Sequence, residues 1–169
     1  LYSSGQRVLD ISWYCRVSVS QFIGMEREPF QAQIARIGLW LTERQMNLEA
    51  SEVFGIAGNA GDWVKPVRIC QCNALTTDWG EVVSRDKLSY IVGNPPFLGA
   101  RLMSASQKMD MKSVFMGFRA AGNMDYVTAW YRKAAEFMSG TEIRAAFVST
   151  NSICQGEQAA LLWKQMKYD

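Results

Sequence analysis

The sequence contains no histidine. That removes the most frequent general base near neutral pH and the most frequent nitrogen ligand for metals. Cysteine is scarce: Cys15, Cys70, Cys72 and Cys154 are the four present, and their spacing makes no secreted disulfide framework. Cys70 and Cys72 stand two apart in an apolar, strand-like run and should share one face of it. Without histidine or a second cysteine pair no zinc site is expected. The thiols read as reduced core residues of a cytoplasmic protein. No apolar run approaches the length of a membrane span, and no basic-plus-apolar leader opens the chain. Charge of one sign is also lacking, with 18 Lys and Arg against 16 Asp and Glu, a net +2. A dedicated DNA-binding module is usually more basic, so this balance neither demands nor excludes nucleic acid.

What is present suits a globular domain. The 169 residues are 49% hydrophobic, enough for one core. The chain opens on Leu1 rather than Met, which reads as a segment of a longer polypeptide. Residues 4–13 read as a helix, with Val8 and Ile11 at helical spacing, and residues 19–23 as a short strand leading to Gly24-Met25-Glu26. Phe30, Ile34, Ile37 and Leu41 form one apolar stripe on a helix reaching about residue 47, with Pro29 suited to its first turn. Gly55, Gly58 and Gly61 mark a loop over 51–66, and residues 67–72 make a strand ending at Asn73. Another apolar run, 88–92, leads into Gly93. Ser104-Ala105-Ser106-Gln107 resembles a capping box for a helix reaching about residue 118. Asp125 is placed to cap a further helix, with Val127, Trp130, Ala134 and Phe137 inward. Residues 143–148 form a strand, and a last helix carries Leu161, Leu162 and Met166. Trp40 and Trp130 read as core.

Apolar strands separated by amphipathic helices imply an α/β fold with a mainly parallel sheet flanked by helices. In such sheets ligands collect at the carboxyl ends of strands. Glu26, Asn73, Asn94 and Asn151 each follow an expected strand. Polar residues at so many strand ends point to one shared site.

Asn94-Pro95-Pro96-Phe97 stands out after a buried-type strand. Each proline removes a backbone donor and fixes φ, so the loop is stiff and its carbonyl oxygens stay unclaimed by neighbours. Asn94 adds a side-chain carbonyl, and Phe97 a flat apolar face. An amino group on an aromatic base needs acceptors for its hydrogens and something to stack its ring, and this tetrapeptide offers both. A rigid turn with a packed phenylalanine is the plainer alternative. Glu26 taken alone is a turn carboxylate, Asn73 a strand-end turn residue, Asp125 a helix cap and Tyr126 a packing residue.

Longer stretches carry a resemblance. They are Phe30-Gln31-Ala32-Gln33-Ile34-Ala35 with Leu39-Trp40-Leu41, Cys72-Asn73-Ala74-Leu75, and Gly93-Asn94-Pro95-Pro96-Phe97-Leu98-Gly99-Ala100-Arg101. Asn123-Met124-Asp125-Tyr126-Val127 and Ser149-Thr150-Asn151-Ser152-Ile153 follow. Together they resemble adenine-specific amino DNA methyltransferases, in particular the methyltransferase domains of large enzymes fused to restriction endonucleases.

That resemblance implies a Rossmann-like fold using S-adenosylmethionine as methyl donor, with residues 1–169 a partial catalytic domain. The upstream first strand with its Gly-rich cofactor loop, and the downstream target-recognition domain, are expected outside it. Asn94 and the main-chain oxygen of Pro95 would accept from the target amino group, Pro96 would hold the loop, and Phe97 would stack on the flipped base. Glu26 would hold the cofactor ribose, Asn73 would lie near its adenine, and Asp125 and Tyr126 near its methionine end. Position 73 is often Asp in related enzymes. Asn at position 94 leans toward adenine rather than cytosine. Double-stranded DNA is the implied partner, no metal is implied, and the bare sheet edge of a truncated domain invites self-association. Arg101, Lys108, Lys112 and Arg119 are candidates for phosphate contacts or simply solvated. Two alternatives stand beside this: an RNA or protein-glutamine amino methyltransferase, which shares the tetrapeptide, and a non-catalytic module keeping the fold.

Overall fold

A side chain at position 24 would collide with its neighbour, because a Cβ built on Gly24 falls 2.5 Å from Ile69 Cδ1. The glycine lies in β1 (Ile23–Glu26), which pairs in parallel with β2 (Arg68–Gln71), Gly24 opposite Ile69 and Glu26 opposite Gln71. Parallel neighbours need a crossover between them. α1 (Pro29–Phe54) lies in that connection and opens on the expected proline, whose missing N–H costs nothing in a first turn. This computed structural model describes residues 16–54 and 66–166. The helix expected over 4–13, Cys15 and most of the glycine loop lie outside the described residues. The chain divides into two units, Leu1–Cys72 and Asn73–Asp169.

In the first unit the strand begins later than residues 19–23 suggest. Val19–Gln21 is a 3-10 turn closed by a capping box, Ser18 and Gln21 each taking the other's backbone N–H. Such local side-chain bonds compete with strand pairing. α1 also outlasts residue 47, because the stretch from Glu43 to Ala50 is rich in strong helix formers. Its apolar stripe is present but faces outward, with Phe30 72% and Ile37 55% exposed. Trp40 is exposed as well, against expectation. The packed face carries buried Ala32 with Arg36 and Glu43. Arg36 Nη2 donates to Ile69 O at 2.6 Å, and Glu43 Oε1 accepts from Val19 N at 3.1 Å. Polar anchors, not the apolar stripe, set how this helix sits on its strands.

The second unit opens with α2 (Trp79–Val82), a single turn capped by Asp78. Then come β3 (Tyr90–Gly93), α3 (Ala105–Val114), α4 (Thr128–Met138), β4 (Arg144–Phe147) and α5 (Glu157–Met166). β3 and β4 pair in parallel, Gly93 opposite Phe147, and a Cβ on Gly93 would stand 3.3 Å from that ring. Both halves of the Ser104–Gln107 capping box form. α3 stops at Val114, short of residue 118, and Gly117 then takes φ +81°, which a side chain would disfavour. α4 buries Val127, Ala134 and Phe137 as its periodicity requires, with Trp130 half-buried. Met103, Met111 and Met124 fill an irregular core with Leu75, Phe115 and Leu162. Cys70 and Cys72 are half-buried, and Cys154 is exposed rather than core.

The pairing is parallel, as expected. The described strands form two two-stranded sheets, one in each unit, where a single sheet was expected. No helix among the described residues is long and apolar enough to cross a membrane.

The turn that follows β2 is held from α4. Lys133 Nζ donates to Leu75 O at 3.3 Å and to Thr77 O at 2.5 Å, and lies 5.7 Å over the Trp79 ring. Trp79 Nε1 donates to Ala74 O at 2.8 Å, and its ring meets Phe137 edge-on at 5.6 Å. Burial draws the Lys133 ammonium below the usual lysine range. Lys133→Met keeps the apolar stem and loses both charge-assisted bonds. It should lower unfolding free energy by about 1–3 kcal/mol in urea titration, and an unchanged midpoint would show that the ammonium anchors nothing.

Candidate active site

β3 ends at Gly93, whose carbonyl accepts from Val148 N at 3.0 Å. The next residues leave the ladder. Pro95 is buried and pins the loop, while Asn94, Pro96 and Phe97 are exposed, Phe97 by 44%. The prolines bring no donors and fix their own φ. Among the described residues no hydrogen bond ends on the Asn94 side chain or on the Pro95 carbonyl. Two acceptors and an aromatic face therefore stand open at one strand exit.

The loop continues into a second anchor. Leu98 O accepts from Tyr126 N at 2.8 Å, and a Cβ on Gly99 would stand 3.7 Å from Asp125 Oδ1. Asp125 is clamped from α5 and from the exit of β4. Gln158 bonds to it twice, its Oε1 accepting from Asp125 N at 2.9 Å and its Nε2 donating to Asp125 Oδ2 at 3.0 Å. Ser152 Oγ donates to the same Oδ2 at 2.6 Å. The carboxylate is thus not the side-chain cap its position suggested. α4 has Val127 at its N-cap with no side-chain capping bond, and Thr128 instead uses the Asp125 carbonyl, from N at 3.0 Å and Oγ1 at 2.6 Å. A carboxylate with two better donors from other elements has no reason to turn back on its own helix.

Asn73 begins the second unit, two residues past the end of β2. Its Oδ1 accepts from Leu75 N at 3.0 Å, and its carbonyl accepts from Thr76 N and Thr77 N at 3.1 and 3.0 Å. Its Nδ2 donates to Asp110 Oδ1 at 3.2 Å. Asp110 is only 7% exposed, and its Oδ2 takes the Tyr126 hydroxyl at 2.6 Å. Tyr126 is buried, its ring edge-on to Trp130 at 5.1 Å. Hydrogen bonds therefore run from Asn73 through Asp110 and Tyr126 to the Leu98 carbonyl, one residue past the tetrapeptide.

Glu26 is the last residue of β1 and half-buried, in the first unit. Its Oε1 accepts from Glu28 N at 3.0 Å, and its carbonyl accepts from Cys72 N at 2.9 Å. Among the expected residues of the second unit, the structure joins Asn73, Asp125, Tyr126 and the tetrapeptide loop. Sequence reasoning missed Asp110, Ser152 and Gln158 as their partners. For Asp110 a signal exists: it shares the inward face of α3 with Met111, and an acid there needs donors. Asn151 and Gln158 are both polar residues near strand and helix ends, and spacing alone does not tell which one reaches inward.

The fold and the strand exits define a class: an α/β chain with polar residues after its parallel strands and, in the second unit, a loop whose acceptors are unclaimed among the described residues. Comparison with known proteins narrows it. A family model described as MmeI, DNA-methyltransferase domain, matches residues 4–169, and the chain belongs to that family. DNA methyltransferase A of Bacillus subtilis (strain 168) is 37% identical over 159 residues, 89% of this chain and 17% of that protein. The solved structure of the Type IIL restriction-modification enzyme MmeI in complex with DNA is similar with a TM-score of 0.87 and 44% identity, over 98% of this chain and 22% of that one. The chain thus spans about a fifth of the length of these relatives. The resemblance to methyltransferase domains of large restriction-modification enzymes is shared by all three.

The clamp on Asp125 makes a sharp electrostatic test. Gln158→Glu keeps the shape but sets a second carboxylate against Asp125 Oδ2. At pH 7 this should cost about 1–3 kcal/mol of stability. Two adjacent carboxylates disfavour double ionisation in the folded state, so the deficit is full at neutral pH and shrinks as acid protonates one of them, disappearing by the ordinary carboxylate range of about 4. Chemical denaturation at several pH values reads it, and a deficit independent of pH would contradict the geometry.

Proposed function

We propose that this chain is part of the catalytic domain of a DNA methyltransferase that transfers a methyl group to the 6-amino group of an adenine flipped out of duplex DNA. The observation that carries the reading is the open acceptor pair. The Asn94 side-chain carbonyl and the Pro95 main-chain carbonyl have no partner among the described residues, and Phe97 is exposed beside them. The adenine amino nitrogen is a weak nucleophile because its lone pair is delocalised into the ring. Acceptors on both its hydrogens favour the pyramidal form and stabilise the positive charge that develops on it. Stacking on Phe97 holds the ring in line, and the remainder of the rate comes from positioning. Taking the base out of the duplex costs a few kcal/mol.

S-adenosylmethionine, when bound, supplies an electrophilic methyl on a sulfonium. The polar groups of this chain fit such a group. One Glu26 oxygen is engaged by Glu28 N, leaving the other for ribose hydroxyls. Asn73 keeps a second amide hydrogen beyond the one it gives Asp110, suited to a purine edge. Asp125 keeps Oδ1 beyond the oxygen that Ser152 and Gln158 occupy, suited to an ammonium. In the proposed Rossmann-like fold Asn73 and Asp125, both in the second unit, line the methyl-donor pocket. DNA as partner is supported by the MmeI complex and by exposed Arg101, Lys108, Lys112 and Arg119 in the segment after the tetrapeptide, and double-stranded DNA is the form this reading proposes.

Asn94→Ala in the full-length protein should reduce methyl transfer to DNA by roughly 10²–10³-fold. The side chain is exposed, so stability should change by no more than about 0.5 kcal/mol. Transfer of labelled methyl to duplex DNA and thermal unfolding read the two effects. Wild-type turnover in the variant would remove the tetrapeptide from catalysis.

A further inference from the structure

Asp110 is a buried carboxylate, and among the described residues no cation hydrogen-bonds to it. It accepts from two neutral donors, Asn73 Nδ2 at 3.2 Å and the Tyr126 hydroxyl at 2.6 Å. These two residues come from different parts of the second unit, the turn after β2 and the entry to α4. Both oxygens of Asp110 accept here, so a side chain facing them must donate. That decides the chemistry at position 73. An amide gives Asp110 an N–H while its carbonyl closes the turn on Leu75 N at 3.0 Å. An aspartate at position 73 could close the same turn, but its second oxygen would face Asp110 where Nδ2 now lies.

We infer that Asp110 is a positioning residue that requires an amide at position 73 and fixes the Asn73 and Tyr126 side chains in one orientation toward the methyl donor. The inference rests on the reading that those two residues line the cofactor pocket. With Asp110 holding Nδ2 and Leu75 N holding Oδ1, the Asn73 amide cannot flip, and it always presents the same face. Tyr126 is held at its hydroxyl by Asp110 and at its main chain by Leu98, so the pocket wall and the target loop share one anchor. Ser113 Oγ binds the Asp110 carbonyl at 2.7 Å within the helix and leaves the carboxylate to these two donors.

The test is a cycle of variants in the full-length protein: Asn73→Asp, Asp110→Asn and both together. The double variant reverses the pairing. The second oxygen of the carboxylate introduced at position 73 would accept from the new amide at position 110, whose carbonyl would still accept from Tyr126. Asn73→Asp alone should raise the KM for S-adenosylmethionine at least tenfold with a smaller change in kcat, and lower the thermal unfolding temperature. The double variant should recover the unfolding temperature but not KM, because a carboxylate at position 73 has no amide hydrogen to give the cofactor. Asp110→Asn alone keeps the Asn73 amide but loses its anchor, and should raise KM at least threefold with a smaller change in kcat. A double variant that unfolds no later than Asn73→Asp overturns the pairing, and so does Asn73→Asp with wild-type unfolding. Recovery in unfolding with Asp110→Asn at wild-type KM overturns the positioning role. The unfolding arm needs no cofactor. A wild-type protein that binds no S-adenosylmethionine, yet shows coupled unfolding, refutes the proposed function and upholds the Asn73–Asp110 pair.

Discussion

The second unit is organised around one aspartate that three hydrogen bonds immobilise, two of them on its carboxylate. Asp125 receives Gln158 from α5 and Ser152 from the exit of β4 on a single oxygen, and gives its own N–H back to Gln158. Its carbonyl then starts α4 through Thr128, which is fully buried. Remove this junction and three pieces lose their common reference: the loop after β3, the loop after β4 and the first turn of α5. The next residue, Tyr126, carries the constraint onward to Leu98 and to Asp110. Hydrogen bonds to charged groups contribute about 1.5–3 kcal/mol each, and leaving such a group buried without them costs as much or more. A site built this way is rigid because its polar atoms have no cheaper arrangement.

That rigidity suits chemistry that depends on placement more than on proton transfer. No histidine is available, and none of the gathered side chains is an obvious nucleophile. What the loop offers is acceptors held in place by prolines. Pro95 buries itself, and its carbonyl and the Asn94 side chain have no hydrogen-bond partner among the described residues. Acceptors that do not have to reorganise at the moment of reaction stabilise developing charge most effectively. The methionine-rich core beneath is deformable by comparison, so the polar network supplies the definition that the apolar packing does not.

Much of this was readable from the residues. The tetrapeptide, the Ser104–Gln107 box and the inward face of α4 each rest on local chemistry, and local chemistry survives into the fold. Glu26 and Asn73 stand at strand exits, as alternating strand and helix patterns require. What failed involved a choice between partners. Asp125 sits where a cap belongs, but donors distant in sequence outcompete the helix. The stripe from Phe30 to Leu41 is helical, yet the face that packs carries Arg36, bonded to the strand carbonyl of Ile69, and Glu43, bonded to the N–H of Val19 in the 3-10 turn. Asp110 escaped notice because an acid inside a helix usually faces water. Its burial makes sense only once Asn73 and Tyr126 are seen to meet it.

The central claim is that the loop after β3 presents an exocyclic amino group, that of adenine, to the methyl donor. Nucleoside mass spectrometry of duplex DNA methylated by the full-length protein tests it most directly. The account predicts N6-methyladenine as the product. Recovery of 5-methylcytosine would contradict the loop chemistry altogether, because a ring carbon makes no use of paired acceptors, and N4-methylcytosine alone would contradict the choice of adenine.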